Sequence, residues 1–177
     1  MLLKYSFPLL LLSFAWGSAC GQADSSRALD PWTYPWLNQE FPLNPLLSID
    51  GDSLNLKGGK VTLINFWFSS CPPCLAEIPA LNDLKSEFAN QGVQFIAINF
   101  ETETEIRRFL EYQEFDFHQV QLDRNEINRL QLSLGFPTHL IIDNQGRVIY
   151  QKSGGSTDIE KAAAFINTLA QEIKKQL

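Results

Sequence analysis

Two runs, VTLINFWF from Val61 to Phe68 and VQFIAINF from Val93 to Phe100, are almost uninterrupted by polar residues. That is the pattern of strands buried on both faces of a sheet. Between them, from Pro72 onward, Leu75, Ile78, Leu81, Leu84 and Phe88 recur at three- to four-residue spacing until Asn90-Gln91-Gly92, which predicts a helix that stops there. Thr102 with Glu105 forms a capping-box pair ahead of Ile106, Phe109 and Leu110, predicting a second helix. A short strand follows over 118–122, and Asp123 with Glu126 opens a brief helix through Leu132. The segments HLIID and RVIYQ, joined by Asn144-Gln145-Gly146, read as a β-hairpin. Thr157 and Glu160 read as the cap of a last helix whose apolar stripe is Ile159, Ala163, Ile166, Ala170, Ile173 and Leu177. This order predicts the α/β class, with a mixed central sheet and helices on both of its faces.

The chain ends refine the division into domains. The first nineteen residues have an early cation, Lys4, then an apolar stretch from Phe7 to Ala15, then Gly17, Ser18 and Ala19. That is the layout of a signal peptide, and its apolar stretch is shorter than the ~20 residues of a membrane span. Cys20, directly after Gly-Ser-Ala, resembles the acylated cysteine of a bacterial lipoprotein, although Gly17 stands where an aliphatic residue is usual. Lipoprotein processing at Cys20 is the preferred reading; cleavage after Ala23 and an uncleaved anchor are the alternatives. All three place the protein in the envelope, outside the cytoplasm, where disulfides persist. Residues 20–45, rich in Pro, Asn and Ser with Trp32, Tyr34 and Trp36 among them, read as a tether whose aromatics cover an edge of the core. The domain itself is expected over 46–177, as a monomer.

With 177 residues, 45% of them apolar and 19% charged, the chain suits one globular domain plus an address segment. Its net charge of −6 offers no basic face for phosphates, so nucleic acid is excluded as a partner.

The chemistry lies in SSCPPC, where a buried strand ends and a helix begins, the place where open α/β sheets put their sites. Cys71 faces the unpaired N–H groups and the positive end of the helix dipole, which favour its thiolate. Cys74, one turn on, is within disulfide reach and should be the more buried of the two. Pro72 and Pro73 stiffen the loop and remove two N–H donors from the Cys71 sulfur, which leaves the couple less oxidising than a donor-rich loop would. A structural zinc site lacks ligands, since beyond this pair the mature chain offers only His118 and His139 and no second cysteine pair. A purely structural bridge over so short a loop constrains the unfolded chain little. Two thiolates and a histidine would also suit a copper(I) chaperone, which remains the rival from a binding class. Redox exchange fits best. A peroxidase reading is weaker, because Phe68 stands three residues before Cys71 where Thr or Ser is expected.

NFWFSSCPPCLAEIPAL, followed by GFPTHLIIDNQGRVIY, resembles the TlpA/ResA-like thioredoxin family of membrane-tethered envelope thiol-disulfide oxidoreductases. The resemblance covers about Leu46 to Leu177, and the segment from Glu101 to Asp123 corresponds to the family's central insertion. It implies a thioredoxin fold, with Cys71 as the exposed nucleophile and Cys74 as the resolving cysteine. No cofactor is implied beyond this dithiol. Glu77 matches the family's acidic residue and takes on the general-base duty, because Asn65 holds the place of the buried Asp of ordinary thioredoxins. A solvated carboxylate favoured by the helix dipole is the alternative for Glu77. Phe136-Pro137 matches the cis-proline loop, and the substrate-facing set expected around it is Trp67, Pro72, Pro73, Phe136, Pro137 and Thr138. Ser70 departs from the usual Trp before the first cysteine, which makes the docking surface flatter and more polar. The implied partners are a protein disulfide and a membrane electron donor of the thiol-reducing type, with cytochrome c maturation as one setting. His139 and His118, each at the start of a strand, are read as packed residues without a role.

Overall fold

The structure, a computed structural model, describes residues 35–130 and 135–177. Cys20 and the signal segment, Trp32, Tyr34 and the Leu132 end of the expected third helix lie outside the described residues. Among those residues no helix is long and apolar enough to cross a membrane.

Strands β1 (Leu46–Leu47) and β2 (Ser53–Leu54) pair antiparallel across the turn at Gly51, which takes a positive φ of 89° that glycine tolerates. The main sheet is built from β3 (Thr62–Trp67), β4 (Gln94–Asn99), β5 (His118–Gln121), β6 (Thr138–Ile142) and β7 (Val148–Ser153), in the spatial order β5-β4-β3-β6-β7. β3 lies at the centre, parallel to β4 and antiparallel to β6. Every residue of β3 is buried, as its unbroken apolar run demands.

Helices α1 (Pro72–Glu87), α2 (Glu103–Leu110), α3 (Arg124–Arg129) and α4 (Ile159–Lys174) flank the sheet. Strand alternation divides the core in two. Leu63 and Trp67 of β3 join Ile78, Leu81 and Phe88 of the α1 region and Ile166 and Leu169 of α4. Ile64 and Phe66 instead join Phe41, Leu54 and Ile127 of α3 on the other face. Both expected capping boxes form, at Thr102 for α2 and at Asp123 for α3. The Thr102 hydroxyl and amide hold the Glu105 carboxyl below its usual range.

Two expectations need correction. The last helix is capped by Asp158, not Thr157: the Asp158 carboxylate accepts from the amides of Glu160 at 3.0 Å and Lys161 at 3.1 Å. The face that packs on the sheet is Ala162, Ile166, Leu169, Ala170 and Ile173, while Ile159 and Leu177 at the ends of the expected stripe are exposed. The tether reading also stops short of the packing that precedes Leu46. Phe41 is 1% exposed, Trp36 Nε1 donates to the Leu130 carbonyl at 2.8 Å, and residues 38–41 exchange backbone hydrogen bonds with Gly146 and Val148.

Candidate active site

The chain passes from β3 to α1 through Phe68, Ser69 and Ser70 and reaches Cys71 as the N-cap of the helix, in extended backbone. The prolines at 72 and 73 occupy the first helical turn, where a missing N–H breaks no helical hydrogen bond. The Cys74 amide is therefore the first one available to the Cys71 sulfur, and it donates to Sγ at 3.3 Å. Cys71 and Cys74 are joined by a disulfide, with their Cα atoms 5.2 Å apart.

Each cysteine is 2% exposed, so the expected contrast between an exposed Cys71 and a buried Cys74 is absent from this disulfide-bonded state. What distinguishes the two is place: Cys71 precedes the helix at its positive end, whereas Cys74 lies within it.

Glu77 follows Cys74 by three residues and so shares its side of α1. Its side chain is fully buried, which overturns the solvated-carboxylate alternative. Oε2 lies 2.9 Å from Nε2 of His139, whose side chain is equally buried. His139 Nδ1 in turn lies 3.3 Å from the side-chain nitrogen of Asn65, its partner across the antiparallel β3–β6 ladder. A histidine read as merely packed thus links α1 to the central strand. Its signal in the sequence was a polar residue inside an apolar strand run, because a buried polar group needs a partner.

The Phe136–Pro137 peptide is cis, and Pro137 is buried beneath the loop after β7, whose Gly154 amide donates to the Pro137 carbonyl at 2.7 Å. Phe136 is half-buried in a triangle of rings with Phe68 at 5.2 Å and Phe100 at 5.6 Å, and the Arg124 guanidinium sits 3.6 Å over the Phe100 ring. Phe68 and Phe100 were not anticipated.

Three members of the expected substrate-facing set, Pro137, Trp67 and Thr138, are buried and are corrected. Trp67 is fully buried, because alternation along β3 turns it into the core against Phe109 at 4.8 Å and Phe115 at 5.3 Å. Thr138 is also fully buried, its hydroxyl donating to the Gly135 carbonyl at 2.8 Å and paired with Ser153 Oγ at 2.7 Å. The residues that do reach the surface around the dithiol are Ser70 and Pro72, with Phe68, Pro73 and Phe136 partly exposed.

A further unanticipated residue, Glu101, holds the loop from below. Its carboxylate accepts from the Ser69 amide at 2.7 Å, the Ser69 hydroxyl at 2.6 Å and the Asn99 side-chain amide at 2.9 Å. The segment leading to Cys71 is thereby pinned to the end of β4.

A stiff dithiol loop presented by a central strand, beside a cis-proline and a buried carboxylate, has the parts that two-electron thiol exchange requires of a thioredoxin-like oxidoreductase. The redoxin family model matches residues 37–166, and the chain belongs to that family. It is 30% identical over 125 residues to the thiol-disulfide oxidoreductase ResA of Bacillus thuringiensis subsp. konkukian, covering 68% of this chain and 72% of the relative. To ResA of Halalkalibacterium halodurans it is 32% identical over 118 residues, covering 64% and 66%. Among solved structures it is similar to a putative thiol:disulfide interchange protein DsbE from Chlorobium tepidum, with a TM-score of 0.61 and 26% identity, covering 76% of this chain and 94% of that one. The fold is thioredoxin-like and the protein is a thiol-disulfide oxidoreductase.

Proposed function

We propose that the protein acts in the bacterial envelope as a reductase of protein disulfides, with Cys71 as nucleophile and Cys74 as resolving thiol. The observation that carries this reading is the Cys71 sulfur at the N-cap of α1, facing one amide donor where the two prolines remove others. A thiolate with few donors gains little over the thiol, and a dithiol whose reduced form is weakly stabilised gives up its electrons readily.

In the cycle, a membrane electron donor of the thiol-reducing type reduces the Cys71–Cys74 disulfide. The Cys71 thiolate attacks a substrate disulfide, forms a mixed disulfide and expels one substrate thiolate. Cys74 passes its proton to Glu77, attacks the Cys71 sulfur and expels the second substrate thiolate. Two electrons leave the dithiol and the Cys71–Cys74 disulfide is restored. The N-terminal segment, acylated at Cys20, would hold a monomeric domain at the membrane, and cytochrome c maturation is a setting that needs such a reductase.

Cys74→Ser tests the division of labour, because Cys71 can still attack but nothing releases the partner. Cells expressing it should accumulate complexes that survive non-reducing electrophoresis and collapse with reductant, whereas Cys71→Ser should give few or none. Equal trapping by both variants would overturn the assignment. Stoichiometric Cu(I) binding without disulfide turnover would replace it with the copper reading.

A further inference from the structure

We infer that His139 is a positioning residue for the thiol exchange: held in one tautomer by Asn65, it fixes Oε2 of Glu77 and leaves Oε1 as the atom that takes the Cys74 proton. This deepens the reading above and rests on Glu77 serving Cys74.

Donor and acceptor inventories decide the tautomer. An amide nitrogen only donates, so Asn65 Nδ2 at 3.3 Å requires His139 Nδ1 to be the acceptor. The imidazole then carries its proton on Nε2, which donates to Glu77 Oε2 at 2.9 Å. Three elements hold the ring in this pose. Asn65 and His139 are cross-strand partners of β3 and β6, and Phe165 of α4 packs on the ring at a centroid distance of 5.1 Å.

The second carboxylate oxygen is placed differently. Glu77 Oε1 is buried and has no hydrogen-bond partner among the described residues. It points toward the cis-proline loop, because a Cβ built on Gly155 would lie 2.6 Å from Oε1 and 2.9 Å from Pro137 Cγ. One oxygen of the carboxylate is therefore engaged with the core, and the other faces Gly155 and the Pro137 ring without a hydrogen-bond partner among the described residues. A buried carboxylate with an open lone pair is costly to maintain unless its charge is met by a fixed donor, and the His139 Nε2–H supplies that donor.

The proton balance follows. Cys74 thiol gives its proton to Oε1, leaving a thiolate and a neutral Glu77 whose Oε2 still accepts from Nε2–H. The thiolate attacks Cys71 Sγ, the mixed disulfide breaks, and the departing substrate thiolate takes the proton back from Oε1. The imidazole keeps its own proton throughout, so the carboxyl group need not rotate between the two states.

The test uses the full-length protein, chemically reduced, and a disulfide-linked peptide with a fluorophore and a quencher on either side of the bond. Rapid quenching separates formation of the mixed disulfide from its release. General acid–base groups contribute about 10²- to 10⁴-fold, and Glu77→Gln should slow release within that range. His139→Phe should slow release by about tenfold or more while leaving formation unchanged, and His139→Gln, whose amide can donate to Oε2, should recover most of the loss. The ¹⁵N imidazole spectrum of the wild type should show His139 protonated at Nε2 and bare at Nδ1, a readout that stands even where His139→Phe does not fold. Normal release in a folded His139→Phe, no recovery in His139→Gln, or a proton on Nδ1 would each overturn the inference. Those results together with a slow Glu77→Gln would leave Glu77 in its role, whereas unchanged release in Glu77→Gln would overturn both.

Discussion

Gly155 is exposed to solvent on one side, yet on the other it closes over the Glu77 carboxylate and Pro137. A methyl group there would lie 2.6 Å from Oε1 and 2.9 Å from Pro137 Cγ, both well inside ordinary contact. The proline ring is rigid and the carboxylate is tied to His139 at 2.9 Å, so neither can yield without disturbing the geometry beside the dithiol. Gly155→Ala should therefore lower disulfide-reductase turnover severalfold, measured per mole of folded protein. Turnover equal to wild type would show that the Gly155 loop moves aside freely. The same crowding explains why glycine, rather than a polar residue able to hydrogen-bond the carboxylate, occupies the position.

Among the elements, the join between β3 and α1 carries the chemistry, and it is secured from β4. Ser69 offers both its amide and its hydroxyl to Glu101, and Asn99 ties the same carboxylate to the end of the strand. Hydrogen bonds to a charged group contribute about 1.5–3 kcal/mol each when well formed and less when solvent competes, and Glu101 is half-buried. Glu101→Ala should cost about 1–3 kcal/mol in urea unfolding and slow formation of the mixed disulfide, whereas Glu101→Gln should retain part of both. An unfolding midpoint equal to wild type would rule out the clamp. Much at this scale was legible in the sequence: the buried strands, the Thr102 and Asp123 capping boxes and the Cys71–Cys74 pair all rest on neighbours within a few residues. The cap of α4 was misplaced by one residue because Thr157 and Asp158 are both good caps, and their choice depends on how the helix seats on the sheet. Trp67 was expected among the substrate-facing residues, although alternation along β3 directs it inward. The His139–Glu77 bond joins residues 62 apart in sequence, one on β6 and one on α1, and exists only once the helix packs on the sheet. No local pattern announces such a contact.

At the scale of the whole molecule, the packed unit extends forward from the expected boundary at Leu46. Phe41 enters the core on the face opposite α1, and residues 38–41 cover the start of β7, an edge strand whose free backbone would otherwise invite pairing with another chain. The stretch from Trp36 to Pro45 therefore belongs to the stability of the domain. In the proposed reading, thiol exchange and membrane attachment rest on different cysteines. Cys71 and Cys74 are both held in the core cluster at the head of α1, while Cys20 stands in the amino-terminal segment next to a signal-like stretch. Acylation at Cys20 would retain the mature protein at the membrane without any change in the dithiol. Cys20→Ala should accordingly move the protein from the membrane fraction to the soluble envelope fraction while reductase activity in vitro, per mole of protein, stays at the wild-type level. Membrane association unaltered by the substitution would identify the apolar stretch from Phe7 to Ala15 as an uncleaved anchor. Loss of activity together with loss of anchoring would show that the two halves of the chain are not independent.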